Sequence, residues 1–72
     1  MAFDFIKRGS YQTAVDLFVW NNHGKNLDSE LGAFKKAELA VLVFNKLKKE
    51  NNVCEARFIE LYIDELKKLK YL

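Results

Sequence analysis

The chain has no proline, three glycines, one cysteine and one histidine among its 72 residues. Without proline, only glycines and polar clusters remain to interrupt helices. The lone Cys54 excludes an intramolecular disulfide. Small secreted domains usually rely on several bridges, so a reducing, cytoplasmic setting is expected. A structural metal site needs about four ligands, and a catalytic dyad needs a base beside its nucleophile. Nothing brackets His23 or Cys54 at useful spacing. His23 reads as a turn residue, and Cys54 as a small apolar residue opening the last helix. A Gly-rich phosphate loop is absent. No cofactor or metal is expected, and the chain is not expected to be an enzyme.

Long hydrophobic runs are also missing. The longest, Leu39 to Phe44, has six residues, against the roughly 20 that span a bilayer. At the N-terminus Asp4 interrupts Phe3, Phe5 and Ile6, and Lys7 and Arg8 follow at once. No secretory apolar region forms there, and no membrane association is expected. Nor does charge of one sign dominate. Twelve Lys and Arg face ten Asp and Glu, for a net charge of +2. That balance is too mild to imply nucleic acid by itself.

What is present is apolar and aromatic. Half the residues are hydrophobic, with six Phe, three Tyr and one Trp, too many for a disordered chain. Their spacing is helical, and no strand-like alternation is sustained. Met1 to Arg8 reads as a short helix or extended arm, with Gly9 as its stop. Ser10 is a candidate N-cap for a helix from Tyr11 to Asn21 or Asn22. Its core face carries Tyr11, Ala14, Val15, Phe18 and Val19, and Asn21–Gly24 ends it. A longer helix, capped by Asp28 or Ser29, runs to about Glu50. Its expected core face is Ala33, Phe34, Ala37, Ala40, Val41, Val43, Phe44 and Leu47. Gly32 in its early turns weakens it by about 1 kcal/mol against alanine. After Asn51 and Asn52, a last helix runs from about Val53 to Tyr71. Its face is Cys54, Phe58, Ile59, Leu61, Tyr62, Leu66, Leu69 and Leu72. The expected fold is an all-α, single-domain antiparallel bundle of three main helices, with the N-terminal segment as a short extra helix.

Gly9, Tyr11 and Ala14 are echoed by Gly32, Phe34 and Ala37. With Phe18, the first set resembles the second-helix half of a tetratricopeptide repeat over about ten residues. Asn21 stands where that family has a small residue, and no full period of about 34 residues is present. The pattern reads as the grammar of a helix hairpin.

Four residues are candidates for partner binding. Trp20 lies opposite the core face of its helix, and Trp is enriched at binding hot spots. It is either an anchor or is covered by Phe3, Phe5 and Ile6. Leu31, Leu39 and Leu42 fall on the polar side of the long helix. They form either a contact stripe or the second covered side of a central helix. Glu65 falls inside the last helix's apolar stripe, where a carboxylate must be paired or protonated. The expected function is a small protein-interaction module that binds a protein partner or itself as a homodimer. The alternative is nucleic-acid binding through Lys46, Lys48 and Lys49 with Lys67, Lys68 and Lys70. Those clusters also close helices, where cations complement the macrodipole. A helix-turn-helix over Phe5 to Trp20 fits poorly. Phe5 occupies a close-approach position, and the would-be recognition helix has Asp16 and no Lys or Arg to meet phosphates.

Overall fold

A computed structural model describes the backbone of residues 2–72 and the side chains of residues 6–72. Three helices pack against one another: α1 (Ala2–His23), α2 (Leu27–Glu50) and α3 (Glu55–Lys68). Among the described residues there is no strand. This is the expected three-helix bundle. The expected separate N-terminal helix is not found, because α1 runs unbroken through Gly9 and Ser10. A glycine permits a stop and does not impose one. Propagating a helix adds a hydrogen bond with each residue fixed, and this outweighs the modest penalty of glycine.

The real stops are built from caps. α1 ends at Gly24, which takes a left-handed conformation (φ +65°) while its N–H donates to the Trp20 carbonyl. Asn26 caps α2, its side-chain oxygen accepting from the N–H groups of Asp28 and Ser29. This is the role expected of Asp28 or Ser29, two residues early. α2 closes on left-handed Asn51, with Asn51 N–H to Lys48 C=O and Asn52 N–H to Leu47 C=O, a Schellman motif. Lys70 and Tyr71 repeat it at the end of α3.

The core is Val15 and Val19 of α1, Leu27, Leu39, Ala40, Val43, Phe44 and Leu47 of α2, and Phe58, Tyr62, Ile63 and Leu66 of α3. Phe58 sits at its aromatic centre, with ring centroids 5.4 Å from Tyr11, 6.4 Å from Phe44 and 5.7 Å from Tyr62.

The buried arc of α2 differs from the expected one. Ala40, Val43, Phe44 and Leu47 are buried as anticipated, but Ala33, Phe34, Ala37 and Val41 are exposed, and Leu39 replaces them. The arc is rotated by roughly 60° toward Lys36. A lysine at the middle of a core face looks polar in the sequence. Here its stem lies inside and its side chain is only 12% exposed, because its ammonium is neutralised, as described below.

Gly32 is a true break inside α2. Its φ of 80° and ψ of 162° belong to a region essentially restricted to glycine. The break turns the first stretch of α2 back onto the bundle. Leu27 is thereby buried, and Leu31 packs against the core.

The Tyr62 hydroxyl is buried and donates to the Lys36 carbonyl at 3.2 Å. Burial pushes its pKa up to about 12. A phenol raised from near 10 contributes stability fully present below pH 10, which is lost as pH rises toward 12. The expected alkaline loss is on the order of 2–3 kcal/mol. In urea titrations at stepped pH, the midpoint should hold to pH 10 and fall beyond it. A midpoint unchanged to pH 12 would contradict the burial of this hydroxyl.

Candidate functional site

The four sequence candidates separate in three dimensions. Trp20 is 58% exposed on α1. Phe3 and Phe5, two of the side chains expected to cover it, lie outside the described side chains. The third, Ile6, is itself exposed. Leu39 is only 4% exposed and belongs to the core. Leu31 is half-buried against that core. Leu42 alone of the three leucines is exposed, beside Asn45, Lys46 and Lys49. The leucines therefore do not form one surface stripe. α2 is buried along its Leu39 edge and open along its Phe34 edge.

What the tertiary structure assembles instead is the outer seam between α1 and α2. A groove of about 280 Å³ runs there, lined by Arg8, Gly9 and Gln12 of α1 and by Asp28, Ala33, Lys36, Ala37, Ala40 and Val41 of α2. A second hollow of about 150 Å³ contains Leu17 and Trp20 together with Asp16, Leu27 and Asp28. The two share Asp28. Phe34, at 83% the most exposed large apolar side chain among the described residues, stands beside the larger groove with Ala37 and Val41. Ile6, three residues before Gly9 and thus on the same side of α1, is also exposed.

Between the two hollows lies an ion cluster that no sequence spacing revealed. Lys36 Nζ donates to Asp16 Oδ2 at 2.8 Å and to Asp28 Oδ1 at 2.7 Å. Gln12 Nε2 donates to the other Asp16 oxygen at 2.9 Å. Burial works against the charge on Lys36, but the bonds to Asp16 and Asp28 outweigh it, and its pKa is raised. In a straight helix Asp28 and Lys36 would lie about 12 Å apart along the axis, beyond the usual i, i+3 and i, i+4 pairs. The break at Gly32 is what brings them together. The signal in the sequence was therefore Gly32 itself, read as a turn within the helix.

The other polar candidates are paired in the ordinary way. Glu65 accepts from Lys46 Nζ at 2.7 Å and lies 3.7 Å from Lys68. The hydrogen bond from Lys46 holds its carboxyl below the usual range, against the opposing effect of burial. Glu65 thus bridges α3 to α2. Arg57 does the same at the other end, meeting Glu50 at 3.0 Å and also Glu60 of its own helix. His23 is exposed at the end of α1, beside Phe18. Cys54 is half-buried at the N-cap of α3, where its carbonyl accepts from Phe58 N–H and its side chain makes no capping hydrogen bond.

The two lysine clusters meet only through Glu65, whose one carboxylate oxygen lies 2.7 Å from Lys46 and 3.7 Å from Lys68. α2 and α3 are antiparallel, so Lys48 and Lys49 close α2 at one pole of the bundle while Lys67 and Lys68 close α3 at the other. Among the described residues no group of His, Cys, Asp and Glu could hold a metal ion, and no helix is long and apolar enough to cross a membrane. Comparison with protein-family models, curated proteins and solved structures finds no match. The fold therefore defines only a class: a small three-helix bundle, with apolar hollows along the α1·α2 seam and a further one between α1 and α3 at Phe18, Ile59 and Ile63.

Proposed function

We propose that this chain is a small non-enzymatic protein-interaction module that acts in the cytoplasm and binds its partner along the α1·α2 seam. The observation that carries the reading is Phe34, 83% exposed beside an apolar groove, with Trp20 and Leu17 exposed at the other end of the same seam. The two hollows flank the Lys36 ion cluster on one side of the bundle, and large exposed apolar side chains grouped in this way mark binding surfaces more than scattered ones do. Aromatic anchors would supply most of the binding energy, and Arg8, Asp28 and Glu38 around them would orient the partner.

Photocrosslinking in cells tests this. With photoreactive benzoyl-phenylalanine at position 34 or 20, a discrete protein adduct is expected. At position 68, on the exposed end of α3, none is expected. The reading fails if no position gives an adduct, or if position 68 gives the same adducts. A nucleic-acid partner, the alternative drawn from the lysine clusters, would instead show binding that falls steeply with salt.

A further inference from the structure

We propose that residues 25–31 form a hinged strap, which opens as one piece while the bundle stays folded and thereby uncovers the hollow beside Trp20. This rests on the interaction reading above and gives the same seam a gate.

Two glycines bound the segment. Gly24 has φ +65° and Gly32 has φ +80°, and a Cβ added at either would meet nothing within 4 Å. Both positions therefore have room to absorb a change of φ and ψ, as hinges do. Between them the helical piece 27–31 is short, because Gly32 interrupts α2. A helix needs about 12–15 residues to persist by itself in water. The piece is thus held by its contacts with the bundle and not by its own hydrogen bonds.

Those contacts are few. Lys25 Nζ donates to the Tyr71 carbonyl at 2.7 Å. Asp28 accepts from Lys36 at 2.7 Å while its own side chain is 70% exposed. Lys36 also holds Asp16, which lies outside the strap, so it keeps a counter-charge when Asp28 leaves. Leu27 is buried and Leu31 packs half-buried against the core. Leu27 is one of twelve buried core residues, and the other eleven lie in α1, in α2 beyond Gly32 and in α3. Opening the strap gives up one of these side chains, whereas unfolding the bundle gives up all twelve. The strap therefore opens at much lower free energy than the bundle unfolds.

Lys25, Asn26, Leu27 and Asp28 are four of the seven residues that line the hollow containing Leu17 and Trp20. With the strap closed, that hollow measures about 150 Å³, room for a group the size of benzene. With the strap open, its wall is gone, and the core face under Leu27 joins the exposed Trp20. Binding there draws on the open population, so a change that raises this population raises the apparent affinity by the same factor.

Amide hydrogen exchange of the purified full chain, followed by NMR from zero to low urea, tests the strap without any partner. The amides of Asp28, Ser29, Glu30 and Leu31 should share one protection factor that barely changes with urea. It should lie at least about tenfold below that of Val43, Phe44 and Leu47, whose exchange should rise with urea as global opening does. Lys36→Met, which removes the bond to Asp28, should lower the strap's protection by about two- to fivefold. Ile63→Val, in the hollow between α1 and α3, should lower the protection of the core amides by about two- to tenfold and leave the strap's unchanged, because that contact is the same whether the strap is open or closed. Strap amides that follow the core amides in urea or in Ile63→Val overturn the proposal, since the strap would then open only with the bundle. So does protection that climbs residue by residue from Asp28 to Leu31, as in a fraying helix end, or a strap indifferent to Lys36→Met. With photoreactive benzoyl-phenylalanine at position 20, Lys36→Met should raise the adduct yield. A lowered yield would make the strap part of the bound surface and overturn the gate. No adduct in either background removes the interaction reading and the gate with it, while the exchange data still decide whether the strap opens by itself.

Discussion

Phe58→Ala should lower the folding stability by about 3–5 kcal/mol, a large fraction of the total. The reason is position. Phe58 is fully buried and its ring touches the aromatic rings of all three helices: Tyr11 of α1, Phe44 of α2 and Tyr62 of α3. Truncation removes the transfer free energy of the ring and leaves a cavity that three helices, joined by the ion pairs Lys36–Asp16, Lys46–Glu65 and Arg57–Glu50, cannot easily close. A chain of 72 residues has a total stability of only roughly 4–11 kcal/mol on the usual per-residue scale. Urea unfolding followed by far-ultraviolet circular dichroism measures the loss. Phe34→Ala provides the contrast: the same truncation on an exposed ring should change monomer stability by no more than about 0.5 kcal/mol. Similar losses for the two variants would mean that Phe58 is not the centre of the core.

Gly32→Ala should destabilise the protein by about 1–3 kcal/mol, whereas Gly9→Ala should stabilise it by about 0.5–1 kcal/mol. Helix propensity alone predicts the same sign for both, since alanine is the better helix former. The backbone separates them. Gly9 continues α1, and a Cβ added there meets nothing within 4 Å. A Cβ at Gly32 likewise meets nothing, so the penalty there comes entirely from φ 80° and ψ 162°. If alanine straightened α2 to escape that strain, Asp28 would leave Lys36 and the buried Leu27 would be pulled from the core. Either route loses stability. Thermal melts of the two variants, together with Lys36→Met and Gly32→Ala combined with Lys36→Met, give the full result. Straightening predicts that the double variant loses less than the sum of its parts, because both changes break the same Asp28 bond. A stabilised Gly32→Ala would show that the break is not required.

The same comparison shows where the sequence was legible. The apolar spacing of α3 gave Phe58, Tyr62 and Leu66 directly, and that of α1 gave Val15 and Val19. α3 has one apolar face flanked by polar residues, so periodicity places its centre, although the expected Leu69 is exposed; on α1 the expected Phe18 is exposed as well, and Leu17 and Trp20 add apolar residues outside the core face. α2 is different. Its apolar residues cover so wide an arc that periodicity does not choose between burying the Phe34 edge and burying the Leu39 edge. The expected choice put Phe34 inside and Leu39 outside, and the structure has the reverse. The deciding residue is Lys36, which a sequence reading places in solvent. Its counter-charges come from Asp16, twenty residues earlier, and from Asp28, brought within reach by the break at Gly32.

The sequence alone determined that these residues form a bundle of three antiparallel helices, that Cys54 has no partner cysteine within the sequence, and that no apolar run in it is long enough to cross a membrane. Those properties follow from composition, local spacing and capping residues, which act over one or two helical turns. Only the tertiary structure decided which edge of α2 faces the core, that Leu39 is buried while Phe34 and Trp20 are open, and that the α1·α2 seam is a groove. These outcomes depend on residues far apart in the chain meeting across helices. Helical periodicity says how wide an apolar face is, but its rotation is set by the neighbours that pack against it and by the charges they bring.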